Sequence, residues 1–228
     1  MNLRLFSSGA ELDRALANLL LGEFRSAPAG PYAVLLAGGR TPLAAYRLCA
    51  EALGAERGAP PAGLHLTFSD ERMVSDDAPE SNYGATRSLI AAVGLPPERV
   101  LRAATALPLP AAAQRWHDDL AAFLARGGSF TLGLLGLGAD GHTASLFSRD
   151  DLARSRGRWV IPVLRESGPS RVSVTPDLLT RVQRLIFAVA GPDKADVAAR
   201  LLREPATLPA GLAVAAAPRV EVWFSPAA

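Results

Sequence analysis

Several short runs in this chain are apolar from end to end rather than alternating, as in Ala33–Ala37 (AVLLA) and Leu185–Ala190 (LIFAVA). A strand with no polar face has no side to offer to water, so it must be covered on both sides. Further apolar runs bounded by Gly or Pro read as strands over Leu64–Ser69, Thr131–Leu135, Trp159–Val163 and Val220–Phe224, with a weaker one over Leu3–Phe6. Helical patterns lie between them. Over Glu11–Phe24, residues Leu12, Ala15, Leu16, Leu19 and Leu20 form one stripe. Helices are also expected over Pro42–Leu53, where Thr41-Pro42 supplies a cap residue and a proline at the first helical position, and over Ala111–Leu124 and Lys194–Leu202. Strands and helices in turn, with doubly buried strands, imply an α/β chain: a mainly parallel, Rossmann-like sheet flanked by helices. The Ala/Pro-rich stretches 103–113 and 204–218 read as connectors, so residues 1–228 are expected to form one domain.

Composition narrows the class. A hydrophobic content of 49% with 20% charged residues is that of a globular chain, not a disordered one. One cysteine excludes a disulfide framework or a cysteine-based zinc site. Glu11, Asp13 and Arg14 fall where a signal peptide needs apolar residues, and no apolar run is long enough to span a bilayer. A cytoplasmic protein without membrane association is expected. A net charge of +2 with scattered arginines does not suggest nucleic-acid binding. Of 24 basic residues, 23 are arginine and one is Lys194. Codon bias explains that scarcity, but it makes the surviving lysine worth locating.

In open α/β sheets, ligands sit beyond the carboxyl ends of the strands. Four segments there carry candidate chemistry. Gly38-Gly39-Arg40-Thr41 follows a strand and opens a helix, which brings backbone N–H groups and a cation toward an anion; the same residues also read as a tight turn with a threonine cap. Asp70-Glu71-Arg72, followed by Ser81-Asn82-Tyr83, puts two acids and a base at a strand end, where the plain alternative is a surface ion pair. Gly136 to Phe147 contains G-x-G-x-x-G, but Asp140 would put a negative charge inside a pyrophosphate loop, and the segment lies past mid-chain. It reads better as a turn presenting Asp140 and His142 at a helix start. There His142 serves as acid and base with Asp140 orienting it, or simply caps the helix. His65, in a strand, and His117, in a helix, read as structural. Finally, Arg171 and Lys194 each put a cation at an element boundary. With Arg40 they supply three positive groups for a phosphate, or else ordinary surface charge.

These segments, in this order, resemble the 6-phosphogluconolactonase family. The resemblance runs from the Gly-Gly-Arg-Thr-Pro turn to Lys194 and is most specific in Asp70-Glu71-Arg72 with Ser81-Asn82-Tyr83 and in Gly138-Ala139-Asp140-Gly141-His142-Thr143-Ala144-Ser145-Leu146-Phe147. Ser148 stands where the family usually has proline, and the loop from Met73 to Glu80 often contains Pro or His in the family. The resemblance implies a fold similar to glucosamine-6-phosphate deaminase and ribose-5-phosphate isomerase. It also implies hydrolysis of 6-phospho-D-glucono-1,5-lactone to 6-phosphogluconate, with no metal or organic cofactor and a sugar-phosphate substrate as the partner; a monomer is expected. On this reading His142, Asp140 and Arg72 are catalytic, and Gly38, Gly39, Arg40, Thr41, Asp70, Asn82, Arg171 and Lys194 bind substrate.

Two alternatives remain. The related deaminase/isomerase shares the Gly-rich turn and the Asp-Gly-His element. It carries a Glu five residues after the histidine, where this chain has Phe147, and Tyr where this chain has Arg72. Non-catalytic sugar-phosphate-binding domains of regulators share the fold, usually behind a helix-turn-helix. This chain is expected to open directly on a strand.

Overall fold

The computed structural model describes residues 1–26, 28–56 and 58–227. In chain order the elements begin with β1 (Asn2–Leu5), α1 (Gly9–Arg25), β2 (Tyr32–Leu36), α2 (Leu43–Glu56), β3 (Leu64–Phe68), β4 (Asp70–Arg72) and α3 (Asn82–Val93). Next come β5 (Val100–Leu101), α4 (Leu109–Ala125), β6 (Ser129–Leu135), α5 (Arg149–Arg154), β7 (Val160–Val163) and β8 (Arg171–Val174). The chain closes with α6 (Pro176–Leu179), β9 (Val182–Ala190), α7 (Ala195–Arg203), α8 (Pro209–Ala213) and β10 (Val220–Ser225). Among the described residues, no helix is long and apolar enough to cross a membrane.

Seven strands make one sheet in the order β1-β10-β9-β6-β2-β3-β5, and every pairing in it is parallel. Each residue of β2 is buried, as the apolar run requires of a strand covered on both faces. From β2 the chain moves outward one way, to β3 and β5; from β6 it moves the other way, to β9 and β10. The neighbours β2 and β6 therefore flank the point where the winding reverses, which is where such sheets open a crevice.

Several expectations need correction. Asp70–Arg72 is not a loop after a long strand: β3 stops at Phe68 and β4 leaves for a second, antiparallel sheet of order β4-β8-β7. The run at Trp159–Val163 becomes β7 of that small sheet rather than a strand of the parallel one. The segment after His142 does not start a helix. Ala144 takes a left-handed φ of 51° in a turn closed by the Leu146 N–H donating to the Thr143 carbonyl at 3.0 Å, and the next helix, α5, begins only at Arg149. The stretches 103–113 and 204–218 hold the start of α4 and all of α8, each opened by a proline in its first turn. Helix α3 had no counterpart in the sequence pattern.

Glu221 ties β10 to β9. Its carboxylate accepts from Arg184 Nε (2.8 Å) and Nη2 (3.1 Å) and from Trp223 Nε1 (2.9 Å), and forms an ion pair with Arg219, whose Nε lies 2.8 Å away. Burial pushes this carboxyl up, but the Arg184 and Trp223 hydrogen bonds and the two cations hold it down at about 2. The folded value is below the ordinary 4.5, so the stabilisation is complete above that pH and is lost as pH falls toward 2. The difference in unfolding free energy between wild type and Glu221→Gln, measured by urea denaturation, should shrink across that interval. A difference independent of pH would show that the charge of Glu221 contributes nothing.

Candidate active site

Four adjacent parallel strands (β9, β6, β2 and β3) end at one edge of the sheet, and each hands the chain to a segment that borders one cleft. The cleft has a volume of about 490 Å³. β2 delivers Gly38, Gly39, Arg40 and Thr41; β3 delivers Asp70 and Arg72; β6 delivers Asp140 and His142; β9 delivers Lys194. Arg171 enters from β8. Ten of the eleven residues expected at the site thus meet in one place.

The His142 pair is built by its loop. Gly141 takes φ 84°, and the Gly138 N–H donates to the His142 carbonyl at 2.9 Å, folding the loop back on itself. His142 Nδ1 then lies 2.5 Å from Asp140 Oδ1, and the His142 N–H reaches the same oxygen at 3.2 Å. Burial pushes the Asp140 carboxyl up, but the hydrogen bonds from His142 outweigh it and hold the group below the ordinary carboxylate value. An ionised Asp140 accepts, so Nδ1 is the donor, and in the neutral ring it is Nε2 that holds the lone pair. Gly138 makes room for this: a Cβ there would come closer than 3.0 Å to His142 Nδ1 and to an Asp140 carboxylate oxygen.

The second acid is used differently. Asp70 is buried, and its Oδ2 accepts from Ser145 Oγ at 2.6 Å. Its Oδ1 accepts from Ser69 Oγ (3.1 Å) and Asn82 Nδ2 (3.3 Å). The Ser145 N–H in turn donates to Ser173 Oγ of β8 at 3.1 Å. Asp70 therefore bolts the turn after His142 to both sheets. Glu71 has a folding role: its buried carboxylate accepts the N–H groups of Arg72, Asn82 and Tyr83, each at 2.8 Å, and so caps α3 alongside Ser81. Burial pushes the Glu71 carboxyl up against the pull of those three donors. Asn82 is the expected site residue that does not border the cleft. It is buried beneath Gly38, where a Cβ would collide with its amide, and it donates to the Asp70 carbonyl at 2.8 Å.

The cations are unbalanced. Arg72 and Arg171 face each other across the β4–β8 pair, an arrangement that is unfavourable for like charges. Burial, then the charge of Arg72, holds the Arg171 guanidinium below its ordinary value. Arg72 Nη1 donates to the Glu80 carbonyl, while its Nε is buried without a partner among the described residues. Among the described residues, none of Arg40, Arg72, Arg165, Arg171 and Lys194 lies within 4.0 Å of a carboxylate. Such a cleft is made for an anion. Among the described residues, no group of three or more His, Cys, Asp or Glu side chains is placed to hold a metal ion.

The family described as glucosamine-6-phosphate isomerases/6-phosphogluconolactonase matches residues 7–223. The chain belongs to this family. A 6-phosphogluconolactonase of Homo sapiens is 35% identical over 221 residues, covering 91% of this chain and 84% of its own length. One from Haemophilus influenzae is 34% identical over 181 residues, covering 79% and 75%. The crystal structure of 6-phosphogluconolactonase from Thermotoga maritima superposes with a TM-score of 0.80 at 26% identity, over 98% of this chain and 99% of that one. A monomeric glucosamine-6-phosphate deaminase shares the fold, with a TM-score of 0.74 at 20% identity over 99% of this chain and 97% of that one.

Among the lining residues not singled out as site residues from the sequence, two bear on the chemistry. Phe147 borders the cleft with its ring centroid 4.5 Å from that of His142, and Arg165 borders it from the β7–β8 connection. Phe147 lay within the Asp-Gly-His element and was legible there; Arg165 carried no signal. The spatial demand at Gly138 gives a direct test. Gly138→Ala should displace the Asp140–His142 pair and lower kcat roughly hundredfold while leaving the far-ultraviolet circular dichroism spectrum native. Wild-type turnover in that variant would show that the pair is not needed in this position.

Proposed function

We propose that this chain hydrolyses 6-phospho-D-glucono-1,5-lactone to 6-phosphogluconate, the second step of the oxidative pentose phosphate pathway. The observation that carries this reading is a histidine–carboxylate pair bordering the same cleft as five cations that, among the described residues, have no ion-pair partner. Nε2 of His142 takes a proton from water, and the resulting hydroxide adds to the lactone carbonyl. Asp140 holds the ring and offsets the charge of the imidazolium. The oxyanion of the tetrahedral intermediate is met by Arg72 or by a loop N–H. The imidazolium then protonates the departing ring oxygen, which restores neutral His142. Arg40, Thr41, Arg171 and Lys194 hold the phosphate, assisted by the backbone N–H groups of Gly38 and Gly39. Asp70, whose carboxylate has three donors and room for one more, takes a sugar hydroxyl, and Asn82 acts from below by fixing Asp70 and Gly38.

Phe147 weighs against the deaminase reading. That chemistry needs a carboxylate five residues after the histidine for ring opening, and the position is filled here by an apolar ring packed on His142. Purified protein should hydrolyse the phosphorylated lactone and release no ammonia from glucosamine 6-phosphate; ammonia release would reverse the assignment. His142→Ala should lower kcat by about 10²–10⁴-fold, and near-wild-type lactonase activity in this variant would exclude His142 as the base. Unphosphorylated glucono-1,5-lactone should be a far poorer substrate, because phosphate binding energy also orients the reacting end. Equal kcat/KM for the two lactones would remove the phosphate-pocket assignment.

A further inference from the structure

We propose that Arg165 is an additional contact for the anionic end of the substrate, held over the cleft on the ring of Phe147; this rests on the phosphorylated-lactone reading above. Arg165 lies on the exposed connection between β7 and β8 and borders the same cleft as Arg40, Arg171 and Lys194. Its guanidinium carbon is 4.1 Å from the Phe147 ring centroid, inside the range of a cation–π contact. That ring is in turn 4.5 Å from the imidazole of His142. Arg165 forms no ion pair among the described residues, although Glu166 is its neighbour in sequence.

These facts fit together physically. A free surface arginine samples many rotamers and loses that freedom when it binds. Stacking on Phe147 removes much of it beforehand and leaves the N–H edges of the plane open to an oxygen anion. The positive charge of Arg165 is also felt at Arg171, where it adds to burial and to Arg72 in disfavouring a further cation. A bound dianion offsets that repulsion, so each of these arginines gains more from substrate than it would alone. Phe147 thereby links the two ends of the site, packing on the base while carrying a cation for the phosphate.

The test is the ratio of kcat/KM for 6-phospho-D-glucono-1,5-lactone to that for glucono-1,5-lactone, measured for wild type, Arg165→Ala, Arg165→Glu and Arg165→Lys. The ratio should fall roughly tenfold in Arg165→Ala, fall further in Arg165→Glu, and stay within about threefold of wild type in Arg165→Lys. A residue that acted only by positioning His142 through Phe147 would lower both rates together and leave the ratio unchanged. The proposal is therefore overturned by a wild-type ratio in Arg165→Ala and Arg165→Glu, whether both rates fall or neither does. The wild-type ratio is read first. No preference for phosphate there removes the substrate reading itself, whereas a strong preference that ignores Arg165 removes only this contact.

Discussion

The site depends on one constraint: the central strands all run the same way. Apolar strands such as β2 must be covered on both faces, and helices in the connections between parallel strands provide that cover. Parallel strands also end at a common edge. The turns after β9, β6, β2 and β3 are therefore neighbours without any contact between them having been selected first. Residues as far apart in sequence as Arg40 and Lys194 share a cleft for this reason. The small antiparallel sheet then adds what the main sheet lacks. By turning away after Phe68, the chain brings β4 alongside β8, so that Arg72 and Arg171 enter the cleft together.

That pairing has a cost. Two arginines directly opposite each other repel, and burial makes the repulsion harder for Arg171 to bear. Folding alone gives no reason to keep them side by side with Arg40 and Lys194 nearby and, among the described residues, no carboxylate within 4.0 Å of any of them. The arrangement makes sense as strain relieved by a ligand, since an anion with several oxygens satisfies several of these cations at once. The acids that border the cleft do not neutralise it. Asp70 is held by Ser145, Ser69 and Asn82, and Asp140 by His142.

The centre of the main sheet is legible because runs such as those in β2 and β9 are apolar throughout and helices such as α1 carry a clear stripe, whereas the two-residue edge strand β5 leaves no pattern. The small sheet is not legible. β4 has three residues and finds its partner a hundred positions away, so pairing in space and not local pattern makes it a strand. Helix α3 was hidden because part of its N-terminal cap comes from Glu71, in a different element. Pro110 and Pro209, by contrast, are readable helix-start signals within stretches whose composition reads as connector. The turn after His142 escaped because nothing in the letters Thr-Ala-Ser announces a left-handed alanine. At the site, the motif residues were legible as types, but Arg165 was not, because its platform is a ring on another loop.

Asp70 and Asp140 show most clearly what the fold adds to the letters. In the sequence they look alike: each is an aspartate just past a buried strand, beside a residue suited to catalysis. Their surroundings separate them. Asp70 is buried and shares its oxygens with two serines and an asparagine, so it joins the turn that carries His142 to the ends of β3 and β8. Asp140 is largely open to solvent and makes its one strong contact with His142, which fixes the imidazole tautomer and leaves Nε2 available. A buried carboxylate held by three donors resists the reorganisation that chemistry requires, whereas an exposed one bound to a single imidazole can follow that ring through protonation and back. On the proposed reading, holding the turn in place falls to Asp70 and steadying the base to Asp140, and the two are coupled through Ser145, three residues after the histidine.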